Sequence, residues 1–340
     1  MKELKRFFKI ILLLVVIVSC ENKEQFYTIQ GEAQGSTYSI KYVSTTEKVS
    51  KQEIDSILTA FDLSLSTYRK DSKISKINDG DTTVVVDAFF EETFHLSKQI
   101  FDETSALFDP TIGVLVNAYG FGPDKKHKEM RPKQVDSLLQ FVGFQKVKLN
   151  SNKTISKPKQ TNLDFNAIAQ GYSVDVVIQF LKSRGVSDGI VEIGGELFAL
   201  GTNKIDGKSW IIGIDNPIQK PEERTIIAKI NLSNLGMATS GNYRKINIDE
   251  KTGQQFVHII NPKTGFAQKS AILSVTVLSN SAAISDGYAT ALMLMSLDEI
   301  KVFLNKHPEL AVLLLYNDSE NKMQQFLTPN FKKLMITAKN

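Results

Sequence analysis

The spacing of apolar and polar residues predicts helices and strands that follow one another without a regular repeat. Residues 26–43 alternate between apolar and polar side chains, which is typical of strands. Ser50 and Glu53 have the spacing of a capping box, and apolar side chains at intervals of three and four follow them, so a helix is predicted there. Further helices are predicted over residues 87–100 and 134–141, and from the residue after Asn166 to Arg184.

The second half of the chain is richer in predicted strands. Their apolar runs cover residues 190–193, 210–214, 225–232, 243–248, 256–260, 273–278 and 309–316. Helices are predicted around Asp286 and after a second capping box, formed by Ser296 and Glu299. Because strands and helices do not alternate regularly, we expect an α+β fold. It would be a single compact domain with mixed or antiparallel sheets and flanking helices.

The first twenty residues differ from the rest. Basic residues precede an apolar run over residues 10–18, which Ser19 and Cys20 end. This order is typical of a bacterial export signal, and the run is too short to span a bilayer comfortably. Cys20 is the only cysteine, and it lies where a lipoprotein signal is lipidated. The alternative is a plain signal peptide with an incidental cysteine.

These features divide the chain into three parts. We expect a signal peptide over residues 1–19, a tether over residues 20–27 and a domain over residues 28–335. The protein would then be exported and lipid-anchored through Cys20 to a bacterial membrane, facing the periplasm.

Composition and charge narrow the possible functions. The chain has 340 residues, of which 42% are apolar and 23% charged, as in ordinary globular proteins. The formal net charge is +4, but residues 1–19 hold four basic residues and one acidic residue, a surplus of three. Export would therefore leave a nearly neutral protein, and we expect no nucleic-acid partner.

The most informative pair of polar residues is Asp286 and Thr290. Their spacing of four places both side chains on one face of a helix, one turn apart. A carboxylate that points inward from an apolar helix is costly unless it is paired or holds a cation. Oxygen ligands suit a hard ion such as Mg2+. Taken alone, the spacing favours the alternative, an Asp satisfied by backbone amides and a Thr bonded within its own helix.

Two other segments carry candidate chemistry. Residues 163–171 bring Asp164 and Asn166 to a helix start, where backbone groups can meet a phosphate or a metal. A helix cap without any ligand is the alternative. His258 lies at the edge of a polar loop, where a base of near-neutral pKa would be useful, although structural histidines are more frequent. Glycines and aromatic residues over 108–122 predict a loop that could stack a flat ring or fill a core.

The order of several short motifs resembles one family. In sequence they are Gly35-Ser-Thr-Tyr38, Ser66-Thr-Tyr68, Ser72-Lys-Ile-Ser75, Phe108-Asp-Pro-Thr111, Tyr119-Gly-Phe-Gly122, Leu163-Asp164 with Gly171-Tyr172, Gly194-Gly195-Glu196, Ala238-Thr-Ser-Gly241, His258 to Gly265 and Asp286 to Thr290. Together, over about residues 28–330, they resemble the ApbE family of FAD:protein FMN transferases. Members of this family are exported, are often lipidated, and bind FAD and Mg2+. They move FMN from FAD to a threonine hydroxyl of a partner protein and release AMP.

The resemblance implies a role for particular residues of this chain. The metal ligands would be Asp286, Thr290 and the backbone carbonyl of Ala167. His258 would be the catalytic base. The flavin nucleotide would lie near Gln34, Tyr68, Ala118, Tyr119, Gly120, Asp164, Gln170 and Ile260. The acceptor would carry a Ser/Asp-x-x-Gly/Ala-Thr site and would belong to a membrane redox complex.

Two residues depart from the family pattern. Gln170 stands where Lys or Glu is usual, and Gln34 stands where Met is usual. Neither change removes a metal ligand, but both could alter nucleotide binding. An FAD pyrophosphatase that produces FMN and AMP remains an alternative, as do a non-catalytic FAD-binding lipoprotein and a scaffold that binds no nucleotide.

Overall fold

The chain folds around an eight-stranded antiparallel sheet. The computed structural model describes residues 23–123, 130–218, 225–241, 246–248, 255–257, 259–267 and 270–336. The strands are β1 (Gln25–Ala33), β2 (Ser36–Ser44), β3 (Lys148–Leu149), β4 (Ile155–Ser156), β5 (Gly189–Ile193), β6 (Glu196–Leu200), β7 (Trp210–Asp215), β8 (Ile226–Leu232), β9 (Leu235–Gly241), β10 (Ile246–Ile248), β11 (Gln255–Val257), β12 (Ile272–Ser279), β13 (Ala311–Asn317) and β14 (Met323–Leu327). The helices are α1 (Lys51–Leu65), α2 (Lys73–Asn78), α3 (Ala88–Glu103), α4 (Gly113–Ala118), α5 (Pro132–Leu139), α6 (Asn166–Ser183), α7 (Ala282–Leu292), α8 (Leu297–Lys306) and α9 (Pro329–Leu334).

The strand order of the main sheet is β1-β2-β5-β6-β9-β12-β13-β14, and neighbouring strands are antiparallel. Three two-stranded sheets, β3-β4, β7-β8 and β10-β11, are antiparallel as well. The expected α+β class with antiparallel sheets and flanking helices is therefore confirmed. The boundaries expected for the domain, residues 28–335, stay a prediction.

Alternate side chains of the sheet point into two different cores. On one face, Val191 and Phe198 pack with side chains of α6 and with the start of α7. On the other face, Ala199 and Leu313 pack with Trp210 of β7. Because successive residues of a strand point to opposite sides, the helices cover one face of the sheet and the β7-β8 hairpin covers the other.

The predicted helix starts are formed by the expected contacts. The Ser50 amide donates to the Glu53 carboxylate at 2.9 Å, and the Glu53 amide donates to the Ser50 hydroxyl at 3.4 Å. The same reciprocal contacts join Ser296 and Glu299 at the start of α8. Each box satisfies backbone donors that a helix leaves unpaired, which is why these starts can be predicted locally.

Several elements differ from the prediction. The loop expected over residues 108–122 contains the short helix α4. Strands β6, β9 and β14 and helices α2 and α9 were not predicted. Strand β6 is buried along its whole length, so it lacks the alternation that marks a half-buried strand. In β9, a Cβ on Gly236 would lie only 2.4 Å from the Ala282 nitrogen, so its small residues reflect the close approach of α7.

Some expectations fall on residues outside the described part of the chain. They concern the signal peptide, Cys20, His258 and part of the strand predicted over residues 243–248. Within the described ranges, no helix combines the length and the apolar character needed to cross a membrane.

Candidate functional site

A carboxylate on α6 fixes the start of α7. Asp175 accepts hydrogen bonds from the Ala282 and Ala283 amides, each at 2.9 Å, and from the Ser281 hydroxyl at 2.6 Å. Enclosure of the carboxyl group raises the pKa of Asp175, while these three donors act in the opposite direction. Amides at a helix N-terminus lack partners within the helix, so Asp175 acts as a cap supplied by a neighbouring helix. It joins the two helices at one point.

The two helices also touch through a glycine. A Cβ on Gly171 of α6 would lie 2.3 Å from the carbonyl oxygen of Ala282 and 2.8 Å from the Cβ of Asp286. No ordinary side chain fits in that space without moving the α7 backbone. The glycine thus allows the first turns of α6 and α7 to meet without intervening side chains.

This contact brings two of the expected metal ligands together. The carboxylate of Asp286, whose residue is 7% exposed, accepts the Gly171 amide at 3.1 Å. In an α-helix that amide points toward the carbonyl four residues earlier, which here belongs to Ala167. The carboxylate and the Ala167 carbonyl therefore face the same N–H group. The backbone-amide contact is also the one expected for a purely structural Asp, so both interpretations agree with this bond.

Thr290 lies one turn further along α7. Its hydroxyl is 3.4 Å from the hydroxyl of Ser240, near the end of β9. This partner comes from a different element, whereas the structural interpretation expected a bond within the helix. Ser240 was not among the candidate ligands, although it belongs to the Ala238-Thr-Ser-Gly241 motif.

The donor set at this junction fits a hard cation. Asp286, Thr290 and the Ala167 carbonyl offer a charged oxygen, a hydroxyl oxygen and a carbonyl oxygen, the donors that Mg2+ prefers. No group of three or more His, Cys, Asp or Glu side chains suited to a metal occurs among the described residues. A cation here would consequently depend on this mixed set of oxygens.

A polar cleft lies beside the start of α6. Its volume is about 390 Å3, and its lining residues are Thr67, Lys70, Ser75, Asn78, Asp79, Gly113, Asn117, Pro123, Asn162, Leu163 and Asp164. Asp164 accepts the Asn166 amide at 2.8 Å, which is the local cap expected if no ligand is involved. The cleft therefore includes one of the residues expected to contact the flavin nucleotide.

Tyr68 lies close to this cleft. Its hydroxyl donates to the Phe121 carbonyl at 3.3 Å, and 55% of the residue is exposed. Burial raises the pKa of the Tyr68 phenol, and the charge of Asp164 raises it further, which places the two residues near each other. An exposed aromatic ring at the edge of a polar cleft can stack on a flat ligand.

A second group of expected residues meets at the end of α4. Tyr119 caps that helix, and its hydroxyl donates to the Gly265 carbonyl at 3.0 Å. Ile260 is 6% exposed and belongs to the apolar cluster against which Tyr119 packs. Gly120 has a φ of 77°, which allows the chain to turn directly after Ala118. The structure thus joins the 118–120 segment to the loop that follows residue 258.

The two residues that depart from the family pattern are also neighbours. Gln34 lies in the β1-β2 turn at a φ of 55°, and its Oε1 accepts the Ser173 hydroxyl at 3.3 Å. Its buried Nε2 has no hydrogen-bond partner among the described residues. The same Ser173 hydroxyl is 2.7 Å from the Gln170 carbonyl, and the Gln170 side chain lies against Gly194. Gln34 and Gln170 therefore share one side of the α6 start.

The expected residues form three neighbouring groups along the first turns of α6, at the α7 contact, in the cleft and beside the β1-β2 turn. The group of Tyr119 and Ile260 forms its own apolar cluster, which adjoins the cleft through Asn117 and through the Phe121 carbonyl that Tyr68 contacts. Sequence reasoning missed Asp175. The available signal was an acidic residue in the otherwise apolar middle of α6, but its partners lie more than one hundred positions away in sequence.

On its helix side, the antiparallel sheet thus carries buried polar oxygens next to a polar cleft. The ApbE family model matches residues 34–314. The chain belongs to the ApbE family.

Similar proteins cover nearly the whole chain. An FAD:protein FMN transferase of Haemophilus influenzae is 34% identical over 334 residues, which cover 94% of this chain and 95% of that protein. An FAD:protein FMN transferase of Vibrio cholerae is 31% identical, with 95% and 96% covered. The solved flavin transferase ApbE from Vibrio cholerae has a TM-score of 0.81 at 28% identity and covers 92% of this chain and 100% of its own. The apo flavinyl transferase ApbE of Pseudomonas stutzeri has a TM-score of 0.80.

Proposed function

We propose that this protein is an FAD:protein FMN transferase that moves FMN from FAD to a threonine hydroxyl of a partner protein and releases AMP. Relatives that bear this name match the chain over nearly its whole length. The structural observation that carries the proposal is the junction of α6 and α7, where Asp286 meets the Gly171 amide and the Thr290 hydroxyl meets Ser240 of β9 instead of its own helix. The acceptor hydroxyl supplies the nucleophile, so the chain needs no catalytic Ser or Cys.

A divalent cation, Mg2+ in the proposal, would be held by Asp286, Thr290 and the carbonyl of Ala167. When bound, it would neutralise charge on the FAD diphosphate and stabilise the AMP leaving group. The protein's own contribution is to hold the Asp286 side chain in position. The Gly171 amide donates to this carboxylate, and the lack of a side chain at Gly171 lets the Cβ of Asp286 lie close to the α6 backbone.

The nucleotide would occupy the cleft and the surfaces next to it. Tyr68 offers an aromatic face at the cleft edge, and Asp164 offers a carboxylate at its floor. Gln34 brings a buried amide nitrogen without a partner, a donor that a ligand oxygen could satisfy. Tyr119, Gly120, Ala118 and Ile260 would contribute through the loop that Tyr119 anchors.

His258 is proposed as the base that accepts the proton of the incoming hydroxyl. Replacement His258→Ala should slow FMN transfer more than it weakens FAD binding, because the imidazole is needed only when the hydroxyl attacks. Transfer rates and FAD titrations by fluorescence measure the two effects. Equal losses in both would mean that His258 has a structural role.

The setting of the reaction is proposed from the N-terminal sequence. Cys20 would carry the lipid anchor, and the domain would face the periplasm at a bacterial membrane. Its acceptor would then be a subunit of a membrane redox complex with a Ser/Asp-x-x-Gly/Ala-Thr site. No nucleic-acid partner is proposed.

Mass spectrometry of a candidate acceptor tests the proposal. The acceptor is mixed with the protein, FAD and Mg2+, and the proposal requires an FMN mass on a threonine together with AMP in the solution. AMP and FMN released without acceptor, and no modified threonine, would identify an FAD pyrophosphatase. Bound FAD with no AMP under either condition would identify a non-catalytic flavin-binding protein.

A further inference from the structure

The β7-β8 hairpin covers the face of the main sheet that lies opposite α6 and α7. Its inner side chains, among them Trp210 and Leu232, pack with Leu313 of the sheet. The helix pair and the polar cleft belong to the other side. Any surface that contacts the outside of this hairpin is therefore separated from the site by the thickness of the sheet.

The outer face of the hairpin carries exposed apolar side chains. Ile211 is 55% exposed and Ile226 is 52% exposed. Between them lies Gly213, where an added Cβ would be 2.8 Å from the Cδ1 of Ile226. Ile226 therefore lies over Gly213, which is two positions from Ile211 on the same face of β7. Ile218, which follows β7, is 63% exposed.

The chain enters the domain beside this hairpin. The Phe26 ring lies 6.3 Å from the Trp210 ring at the start of β7. Asp188, in contact with Lys204 at 2.5 Å, raises the pKa of Lys204, and the charge of Glu24 adds to the shift. Residues 24 and 26 thus lie next to the turn before β7 and to β7 itself.

The tether is short compared with the domain. Cys20 precedes the first residue of β1, Gln25, by five positions. Even a fully extended chain spans at most about 3.6 Å per residue, or about 18 Å here. A globular domain of roughly 310 residues is about 50 Å across. A lipid on Cys20 would consequently hold the β1 edge of the sheet near the bilayer, together with the start of β7, which Phe26 contacts.

Lysines outnumber acidic residues among the described residues around the hairpin. Lys208 lies in the turn before β7, and Lys229 lies on β8. The carbonyl of Lys229 accepts the amide of Ile336, in the segment after α9, at 2.8 Å. Among the described residues of this region, the exposed lysines are Lys204, Lys208, Lys229, Lys332 and Lys333, and the acidic residues are Glu24, Asp188, Asp206 and Asp215. Asp188 is paired with Lys204. Apolar side chains with surrounding cations are the combination that binds an anionic lipid surface.

We propose that the outer face of the β7-β8 hairpin, with Ile211 and Ile226, rests on the surface of a bilayer that contains anionic phospholipids. This proposal depends on the lipid anchor at Cys20 described under the proposed function. It directs α6, α7 and the polar cleft away from the lipid. An acceptor would then present its threonine from the aqueous side.

Site-directed fluorescence on the lipidated full chain tests this orientation. Cys20 is the only cysteine, so once it is lipidated, a cysteine introduced elsewhere is the only free thiol. The variants are Ile211→Cys and Ile226→Cys, with Val302→Cys as the control. Val302 is 57% exposed on α8, a helix whose buried side chains belong to the helix-side core. Each labelled protein is reconstituted into vesicles of phosphatidylglycerol and phosphatidylcholine that carry a lipid-bound quencher.

The expected result is at least twofold stronger quenching at positions 211 and 226 than at position 302, with unchanged FMN transfer to a soluble acceptor. Equal quenching in protein that floats with the vesicles would overturn the orientation and leave the anchor intact. Protein that does not float with the vesicles would overturn both. Labels at 211 and 226 that are shielded only by an added acceptor would assign this face to a protein partner and also refute the proposal.

Discussion

Replacement of Gly171 by alanine should separate catalysis from stability. The new Cβ would lie 2.3 Å from the Ala282 carbonyl oxygen, whereas carbon and oxygen atoms in close contact are about 3.3 Å apart. Relief of this overlap requires α7 to move by about 1 Å, because the Ala282 carbonyl belongs to the backbone and cannot turn aside as a side chain can. Asp286 moves with α7, so the carboxylate leaves its place beside the Gly171 amide.

The size of each effect can be estimated. A misplacement of about 1 Å in a catalytic group can reduce a rate by about 100-fold. Overpacking typically costs about 1–3 kcal/mol, but alanine is about 1 kcal/mol better than glycine within a helix. We therefore expect a net loss of about 0–2 kcal/mol in unfolding free energy, and a loss of roughly 100-fold in FMN transfer.

A matched variant on the partner helix provides the control. In Gly287→Ala the new Cβ would lie 2.4 Å from the Cδ1 of Ile100, the flexible end of a side chain, with no other atom closer than 3.6 Å. That side chain can turn aside, so α7 keeps its position. Transfer is followed by mass spectrometry across a Mg2+ titration, and stability by thermal unfolding. If Gly171→Ala transfers FMN as fast as Gly287→Ala at every Mg2+ concentration, the helix contact does not position the site.

Three further outcomes are expected. Asp286→Asn keeps an acceptor for the α6 amide but removes the charge, so FMN transfer should fall by roughly 100-fold or more while thermal unfolding changes little; transfer near the normal rate would contradict the cation site. Burial tends to raise the pKa of Asp188, but Lys204 and neighbouring donors hold that pKa below its ordinary value. The contact between Asp188 and Lys204 therefore stabilises the fold above about pH 4, and the stabilisation is lost as the pH falls through the lowered pKa. Lys204→Met should thus lower the free energy of unfolding by about 1 kcal/mol at pH 7, because Lys204 is partly exposed, and by less in acid. Urea unfolding at both pH values measures this loss, and an equal loss at the two pH values would contradict the reasoning. Tyr119→Phe removes the hydroxyl that donates to Gly265, so FAD binding should weaken by about 10-fold in a fluorescence titration, with the binding of Mg2+ unaffected.

The sequence predicts those features that depend on neighbouring positions. Ser50 and Glu53 signal a helix start because a capping box involves only residues of one turn. The strand predicted over residues 190–193 ends directly before Gly194 and Gly195, and both glycines have positive φ values in the turn between β5 and β6. The spacing of Asp286 and Thr290 likewise placed both on one helix face.

Features that depend on distant parts of the chain were not predictable. Strand β9 is built largely of small residues because α7 lies almost on its backbone, and propensity alone does not indicate a strand there. The partners of Asp175 are set by how α6 and α7 meet. Packing of two helices is a property of the folded molecule, and no local pattern reveals it.

The same long-range contacts explain how a weak spacing signal can become a defined site. Asp175 fixes the first turn of α7 to α6, and Gly236 holds that turn against β9 from the other side. Gly171 lets the helices approach until Asp286 meets the α6 backbone. All these contacts involve backbone atoms, which cannot change rotamer. The packing of the two helices therefore positions the Asp286 carboxylate, and a cation bound as proposed would find this oxygen already in place.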